Sequence, residues 1–179
     1  AFDLMASEAI SGNISNEAGI RLISVLASRA GVYGMINGQA IDLESEGKDI
    51  SLEALDTLQE KKTGALIEAS CLMGCILGGC EENDNRCKAA KEYAKCLGKA
   101  FQIVDDILDV TGSSDEIGKP VGSDAEENKT TFVTLYGVER AQEIADEITK
   151  EALELLDKLI DIPVRAVGTG GDRVVVCIH

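Results

Sequence analysis

This sequence predicts an all-α domain, and three observations carry that prediction. Leu, Ala, Ile, Glu and Lys supply much of the chain, while Pro occurs twice and Trp not at all, a composition that favours helix over sheet. Apolar residues recur at helical spacing along several stretches, separated by polar or Gly-rich turns. At 179 residues, 45% of them hydrophobic, the chain is long enough for one substantial core.

The elements follow in order. AFDLMASEAI opens without a Met or an N-cap and reads as the last turns of a helix, as expected of a fragment or of a protein trimmed upstream. A second helix is predicted from Ser15 or Asn16, either of which caps it, to about Glu46, with Ile20, Ile23, Leu26 and Ala27 at helical spacing. Inside it Gly31, Gly34 and Gly38 form a stripe without side chains. Each costs about 0.8–1 kcal/mol against Ala in a helix, so something approaches closely there, either another helix or a substrate channel. Gly47 and Lys48 close this helix.

Ser51 caps the next, SLEALDTLQEKKTGALIEASCLMGCILGG, which is amphipathic through Leu52, Leu55 and Leu58, then apolar nearly all round and expected to be buried. Lys61-Lys62-Thr63-Gly64 marks the changeover. A lysine there either snorkels to water or joins the Thr63 hydroxyl in meeting a bound anion. The turn EENDN leads into a helix from about Arg86 to Val110, ended by Thr111 and Gly112. A loop rich in Gly, Ser and acids follows, holding Lys119 and Lys129; these either balance its charge or belong to a lid. The short helix TTFVTLYG comes next, then an amphipathic scaffold helix from Val138 to about Ile160, where Glu139 or Glu143 is set to pair with Arg140 and Lys150. Residues 1–162 form this helical domain. Residues 163–179 are strand-like, and their GTGG lacks the strand–turn–helix frame of a phosphate loop, so they read as an atypical tail, native or not.

Formal charge is −15 and pI about 4.4, which argues against nucleic acid or an anionic membrane surface as a partner. Any phosphate-bearing substrate would then need divalent cations beside it. The six cysteines contain no C-x-x-C pair and the only His is the terminal His179. Cys71, Cys75 and Cys96 stand where small apolar core residues fit, so reduced thiols and a cytoplasmic location are expected. The most apolar stretch, Ala65 to Gly79, is interrupted by Glu68 and too short to span a bilayer.

Chemistry is concentrated in FQIVDDILDV, Phe101 to Val110. At about 100° per residue, Phe101, Ile103, Val104, Ile107, Leu108 and Val110 share one half of the helix, while Gln102, Asp105, Asp106 and Asp109 share the other. No Lys or Arg stands three or four residues from these acids, as a solvated acidic face would arrange. Crowded carboxylates are relieved by protonation or by an external cation. Mg²⁺ suits them, because it takes one or two carboxylates, keeps several waters and bridges to phosphates. A plain solvated face is the other reading.

Four stretches now converge. GMINGQAIDLESEGK, KKTGALIEAS, FQIVDDILDVTG, and IGKPVGSD with NKTTFVTLYG occur in this order from Gly34 to about Gly137. Together they resemble the short-chain trans-isoprenyl diphosphate synthases, the family of farnesyl and geranylgeranyl diphosphate synthases. The resemblance implies an antiparallel helix bundle around a central cavity, truncated at the N-terminus, with the aspartates at the cavity's mouth. It implies that Asp105, Asp106 and Asp109 hold Mg²⁺ against the diphosphate of the allylic substrate. Lys62 and Lys119 would contact that diphosphate, with Lys129 a nearby basic position. Thr63 and Gln102 would turn oxygens toward the developing carbocation, and Gln39 would line the hydrocarbon pocket. The implied reaction joins isopentenyl diphosphate to an allylic diphosphate to give farnesyl diphosphate, in a homodimer.

The departures are as informative. The family's first aspartate-rich motif and the basic residues that bind isopentenyl diphosphate have no counterpart here, and the tail differs from the family's helical, basic C-terminus. The 179-residue chain is therefore expected to hold about half a metal site and to be inactive alone. A geranylgeranyl-type synthase, a non-catalytic helical subunit that binds diphosphates or regulates a partner, and a terpene cyclase are the competing readings. The cyclases' usual Asn/Ser/Glu metal pattern is not found.

Overall fold

The computed structural model describes residues 1–112 and 130–160, the last three as backbone only. Among the described residues every regular element is helical: α1 (Phe2–Ile10), α2 (Asn16–Ala30), α3 (Met35–Ser45), α4 (Leu52–Gln59), a π-helical turn (Glu60–Gly64), α5 (Ala65–Leu77), α6 (Asn85–Thr111), α7 (Phe132–Tyr136) and α8 (Val138–Ile160). The all-α prediction therefore holds. Lys119, Lys129, the loop they occupy and the tail from 163 lie outside the described residues.

Helix starts follow from local chemistry. Ser15 Oγ accepts from the Ala18 N–H at 3.0 Å, and Ser51 Oγ from the Ala54 N–H at 3.2 Å. Asp84 caps α6, its carboxylate accepting the Arg86 N–H at 2.8 Å. Thr131 and Thr134 form a reciprocal capping box on α7. Each cap satisfies backbone donors that the first turn of a helix leaves without partners.

Two predicted helices differ from expectation. The single helix from Ser15 or Asn16 to Glu46 is two, broken by the turn Gly31–Gly34. A Cβ on Gly34 would sit 2.0 Å from the Arg29 carbonyl oxygen, so this sharp break admits no side chain, and the glycines there serve the break rather than one continuous stripe. By length and composition Asn16–Ser45 is apolar enough to cross a membrane, a test that core helices also pass; here the break divides it and α2 packs on α1 and α5. The helix after Ser51 runs through a π-helical turn at Glu60–Gly64, which widens the backbone where the motif Lys62-Thr63 falls. Its apolar second half, α5, buries Ala65, Ala69, Leu72 and Ile76 but leaves Leu77 exposed, so it is not buried all round.

α6 is the spine. Its small residues Ala90, Ala94 and Gly98 let neighbours come close, and α8 lies along it with Ala141 and Ala145 against the seam. The core there comprises Leu55, Ile103, Ile107, Phe132, Ala141 and Ala145. A second cluster, Met5, Leu22 and Ile76, joins α1, α2 and α5. Fully burying an aliphatic side chain in such a cluster contributes about 1.5–3 kcal/mol. The Arg29–Glu68 ion pair, 2.7 Å, adds a polar tie between α2 and α5. On α8, Arg140 bonds Glu143 at 2.8 Å and reaches Glu147 at 3.4 Å, so the expected surface pairing forms with Glu143, not with Glu139.

Helix α6 does not bury the face that its hydrophobic pattern suggests. Ile103 and Ile107 are inside, yet Phe101, Val104, Leu108 and Val110 are exposed, while Asp106 and Asp109 are buried at 9% and 1% exposure. The covered arc is set by where α8 and α7 land, over Ile103, Ile107 and Asp106, and not by the widest apolar arc. With Leu97, the exposed residues Phe101, Val104 and Leu108 leave an uncovered apolar stripe along the helix. The cysteines shift similarly: Cys71, Cys75 and Cys96 are only half-buried, and Cys80 and Cys87 are the buried ones. All five are free thiols.

Candidate functional site

The sequence motifs meet where α3, the π-helical turn, α6 and the start of α7 converge. α3 reaches this point because Gly38 lies directly against the π-helical backbone: a Cβ there would be 2.2 Å from the Lys62 nitrogen and 2.5 Å from its Cα. Such contact requires glycine. It decides between the two readings of that residue in favour of close packing, and it sets Lys62 beside α3.

A cavity of about 110 Å³ opens at the junction, and Lys62, Gln102, Asp105 and Asp106 all line it. Asp42 and Gln59 complete its polar wall, with Leu55 and Leu58 beneath. Lys62 Nζ donates to Asp42 Oδ2 at 2.7 Å, a pair some 20–30% exposed on each side chain. Asp106 Oδ2 accepts the Phe132 N–H at 3.0 Å, which fixes the start of α7 against the acidic segment of α6. The Ile50 N–H donates to Thr130 Oγ1 at 3.2 Å and closes the rim from the α4 side.

The predicted residues do not all gather here. Asp105 is exposed at the rim and Asp106 is buried in the wall, but Asp109 faces the interior and does not line this cavity. The reason is axial: Asp109 shares their arc of α6 but lies one helical turn beyond Asp105, past the end of the cavity lining. Thr63 is half-buried and Gln39 exposed, and neither lines the cavity. Asp42, one turn beyond the glycine stripe, and Gln59 are residues to which sequence reasoning gave no role. Asp42 lies within the motif at Gly34–Lys48, but its pairing with Lys62 spans twenty positions and leaves no local trace.

Gln59 has its own signature. It is 6% exposed, and its Oε1 has no hydrogen-bond donor among the described residues. A buried amide oxygen without a donor costs free energy, and Gln59 stands between this cavity and a second hollow. Asp56 Oδ1 also lacks a well-directed hydrogen bond, but Lys99 Nζ lies 2.8 Å away as an ion pair, and this contact satisfies it. The same Lys99 stands 5.2 Å from the centre of the Phe132 ring.

A larger hollow, about 490 Å³, lies on the other side of Gln59. It is a trench of opposite charges, among them Arg29 with Glu68 and Lys99 with Asp56, already compensated. The smaller cavity is the one lined by Lys62, Gln102, Asp105 and Asp106. Its donors around the acids are all oxygen: carboxylates of Asp105, Asp106 and Asp42, and amide oxygens of Gln59 and Gln102. Hard divalent cations such as Mg²⁺ prefer that set.

Comparison with known proteins places this geometry in context. The polyprenyl synthetase family profile matches residues 2–161. The chain is 43% identical over 155 residues to a farnesyl diphosphate synthase of Haemophilus influenzae, covering 86% of this chain and 52% of that protein. It is 39% identical over 159 residues to the heterodimeric geranylgeranyl pyrophosphate synthase large subunit 1, chloroplastic, of Arabidopsis thaliana, covering 87% and 42%. Among solved structures it resembles a geranyltransferase from Helicobacter pylori complexed with magnesium and isoprenyl diphosphate, with TM-score 0.78 and 35% identity over 90% of this chain and 51% of that one. The chain thus spans about half the length of the relatives it matches.

Proposed function

This chain belongs to the polyprenyl synthetase family, and we propose that it forms the allylic-diphosphate half of a Mg²⁺-dependent prenyltransferase. The whole enzyme joins isopentenyl diphosphate to an allylic diphosphate and releases farnesyl diphosphate. One observation carries this reading: Lys62, Gln102, Asp105 and Asp106, drawn from two separated motifs, line one small cavity. The solved relative that holds magnesium and isoprenyl diphosphate supports it.

The residues divide the work by charge. Asp105 and Asp106 would hold Mg²⁺, which when bound would stabilise negative charge on the leaving diphosphate. Lys62, with Lys119 and Lys129, binds that diphosphate, and Lys62 exchanges Asp42 for it. Gln102 and Thr63 turn oxygen dipoles toward the allylic cation, and Asp109 supports the acids from within. Gln39 and the exposed stripe Leu97, Phe101, Val104 and Leu108 wall the hydrocarbon chain. In a whole enzyme of the relatives' length, the half that this chain does not span would close that wall, exclude water and bring further metal ligands.

A geranylgeranyl product is the second reading, favoured by the Arabidopsis relative. We also propose a cytoplasmic homodimer. The test assays the 179-residue chain with Mg²⁺, geranyl diphosphate and isopentenyl diphosphate, then repeats the assay with the preceding segment of its gene restored. No turnover by the short form and C15 product from the long form are expected, and C20 product would move the assignment to the second reading. Turnover by the short form overturns the half-site. A long form that binds the diphosphates without joining them leaves a non-catalytic subunit.

A further inference from the structure

The far end of the α5–α6 hairpin brings three cysteines together. Cys75 lies in the last turn of α5, Cys80 in the turn that follows and Cys87 in the first turns of α6, and their three Sγ atoms lie within 4.8 Å of one another. We propose that this trio is a thiolate site for one Zn²⁺ ion, stapling α5 to α6. The inference is independent of the diphosphate site.

The backbone makes the site. Gly79, at φ 76°, takes the left-handed conformation that ends α5. The Cys80 N–H then bonds the Cys75 carbonyl at 2.9 Å and the Gly79 N–H bonds the Ile76 carbonyl at 3.0 Å. This reversal carries Cys80 back over Cys75. Asp84 then starts α6 and delivers Cys87 to the same point, where its thiol donates to the Glu81 carbonyl at 3.3 Å. The Cys75 thiol points at the Arg86 carbonyl, 3.9 Å away. Small apolar packing alone would account for buried Cys80 and Cys87 and half-buried Cys75, and Leu72 and Val25 do pack there. It does not require the sulfur atoms to converge.

The dimensions suit zinc. With Zn–S near 2.3 Å, two tetrahedral thiolates sit about 3.8 Å apart, so each pair needs to close by no more than about 1 Å, within rotamer adjustment. Soft sulfur donors select Zn²⁺ over the Mg²⁺ expected at the oxygen-lined cavity. Three thiolates on one divalent ion leave a net negative charge, and two guanidiniums, each also paired with an acid, lie beside it. Arg21 Nη2 donates to the Cys80 carbonyl at 2.8 Å, and Arg86 is held by Asp84 at 2.7 Å. Among the described residues the trio supplies three ligands, one short of the four of a tetrahedral site. Cys80 and Cys87, at 2% and 4% exposure, would hold the ion away from bulk solvent.

The test titrates the reduced 179-residue chain with Co²⁺ under anaerobic conditions, follows thiolate-to-cobalt charge-transfer absorption, and then displaces the ion with Zn²⁺. Uptake of one ion per chain is expected, abolished by Cys80→Ala and by Cys87→Ala, and unchanged by Cys71→Ala and Cys96→Ala. Alanine keeps the small apolar volume; circular dichroism of each variant checks the helices. Mass mapping of alkylation in the unmutated chain adds a readout free of folding artefacts: Zn²⁺ should slow modification of Cys75, Cys80 and Cys87 and leave Cys71 unaffected. Absence of charge-transfer absorption, its survival in the Cys80→Ala, Cys87→Ala double variant, or equal protection of Cys71 overturns the proposal.

Discussion

The backbone N–H of Phe132 donates to Asp106 Oδ2 at 3.0 Å across twenty-six residues of sequence. One acid of the candidate metal set thus also anchors the short helix α7 to α6. Its structural and ligand roles can be separated by substitution. Asp106→Ala removes the acceptor and leaves a buried N–H, at a cost of about 1–3 kcal/mol. Asp106→Asn keeps an acceptor and should lose less than half of that. Both variants should lose Mg²⁺-dependent pyrophosphate binding. Urea unfolding and calorimetry with Mg²⁺ and pyrophosphate would check this pair; an Asn variant that still binds would remove Asp106 from the ligand set.

Lys62 is held by Asp42 at 2.7 Å, so a diphosphate must compete with a carboxylate for it. Being partly exposed, the pair contributes only about 0–1 kcal/mol to stability. Asp42→Asn should therefore leave the melting temperature nearly unchanged while tightening pyrophosphate binding several-fold. Lys62→Met should weaken it by tenfold or more, in line with about 1.5–3 kcal/mol for a hydrogen bond to a charged group. Equal affinities across the three proteins would place the diphosphate elsewhere.

Two glycines make a graded test of close packing. At Gly38 a methyl group would meet Lys62 backbone atoms at 2.2 and 2.5 Å, whereas at Gly98 it would meet Gly64 Cα at 3.1 Å. Gly38→Ala should cost about 3 kcal/mol or more and disturb the Lys62–Asp42 pair. Gly98→Ala should be close to neutral, the crowding offset by the roughly 0.8–1 kcal/mol that Ala gains over Gly in a helix. Chemical denaturation of both variants decides; a stable Gly38→Ala would mean that α3 sits further from the π-helical turn.

Acid stability should report on the α6 cap. Two contacts from the Arg86 side chain and backbone N–H pull the Asp84 carboxyl down from 3.8 to about 2. A depressed folded-state value stabilises fully above the ordinary one and is lost as pH falls through the lower one. Asp84→Asn should therefore melt below the unmodified chain at neutral pH, with the gap closing as pH falls from about 4 to about 2. A gap independent of pH would assign Asp84 to capping alone.

What could be read from the sequence was local. Ser15 and Ser51 announce helix starts because a side-chain oxygen satisfies N–H groups two or three residues away, and the short helix after Thr131 and the long one from Val138 sit where periodicity places them. The aspartates stood out because carboxylates in an apolar run demand a reason, whereas Lys62 and Gln102 took their expected roles from the family resemblance.

The remainder needed residues distant in the chain to meet. A helical wheel shows which side chains share a face, not which face finds a partner; α8 and α7 chose the side of Ile103, Ile107 and Asp106, leaving Phe101, Val104 and Leu108 exposed. The Lys62–Asp42 pair, the π-helical turn against Gly38 and the convergence of Cys75, Cys80 and Cys87 have the same origin. Caps and periodicity act over one or two helical turns and are written in short words of sequence. Orientation, close approach and convergence are set by packing between helices, which minimises exposed apolar surface over the whole molecule at once.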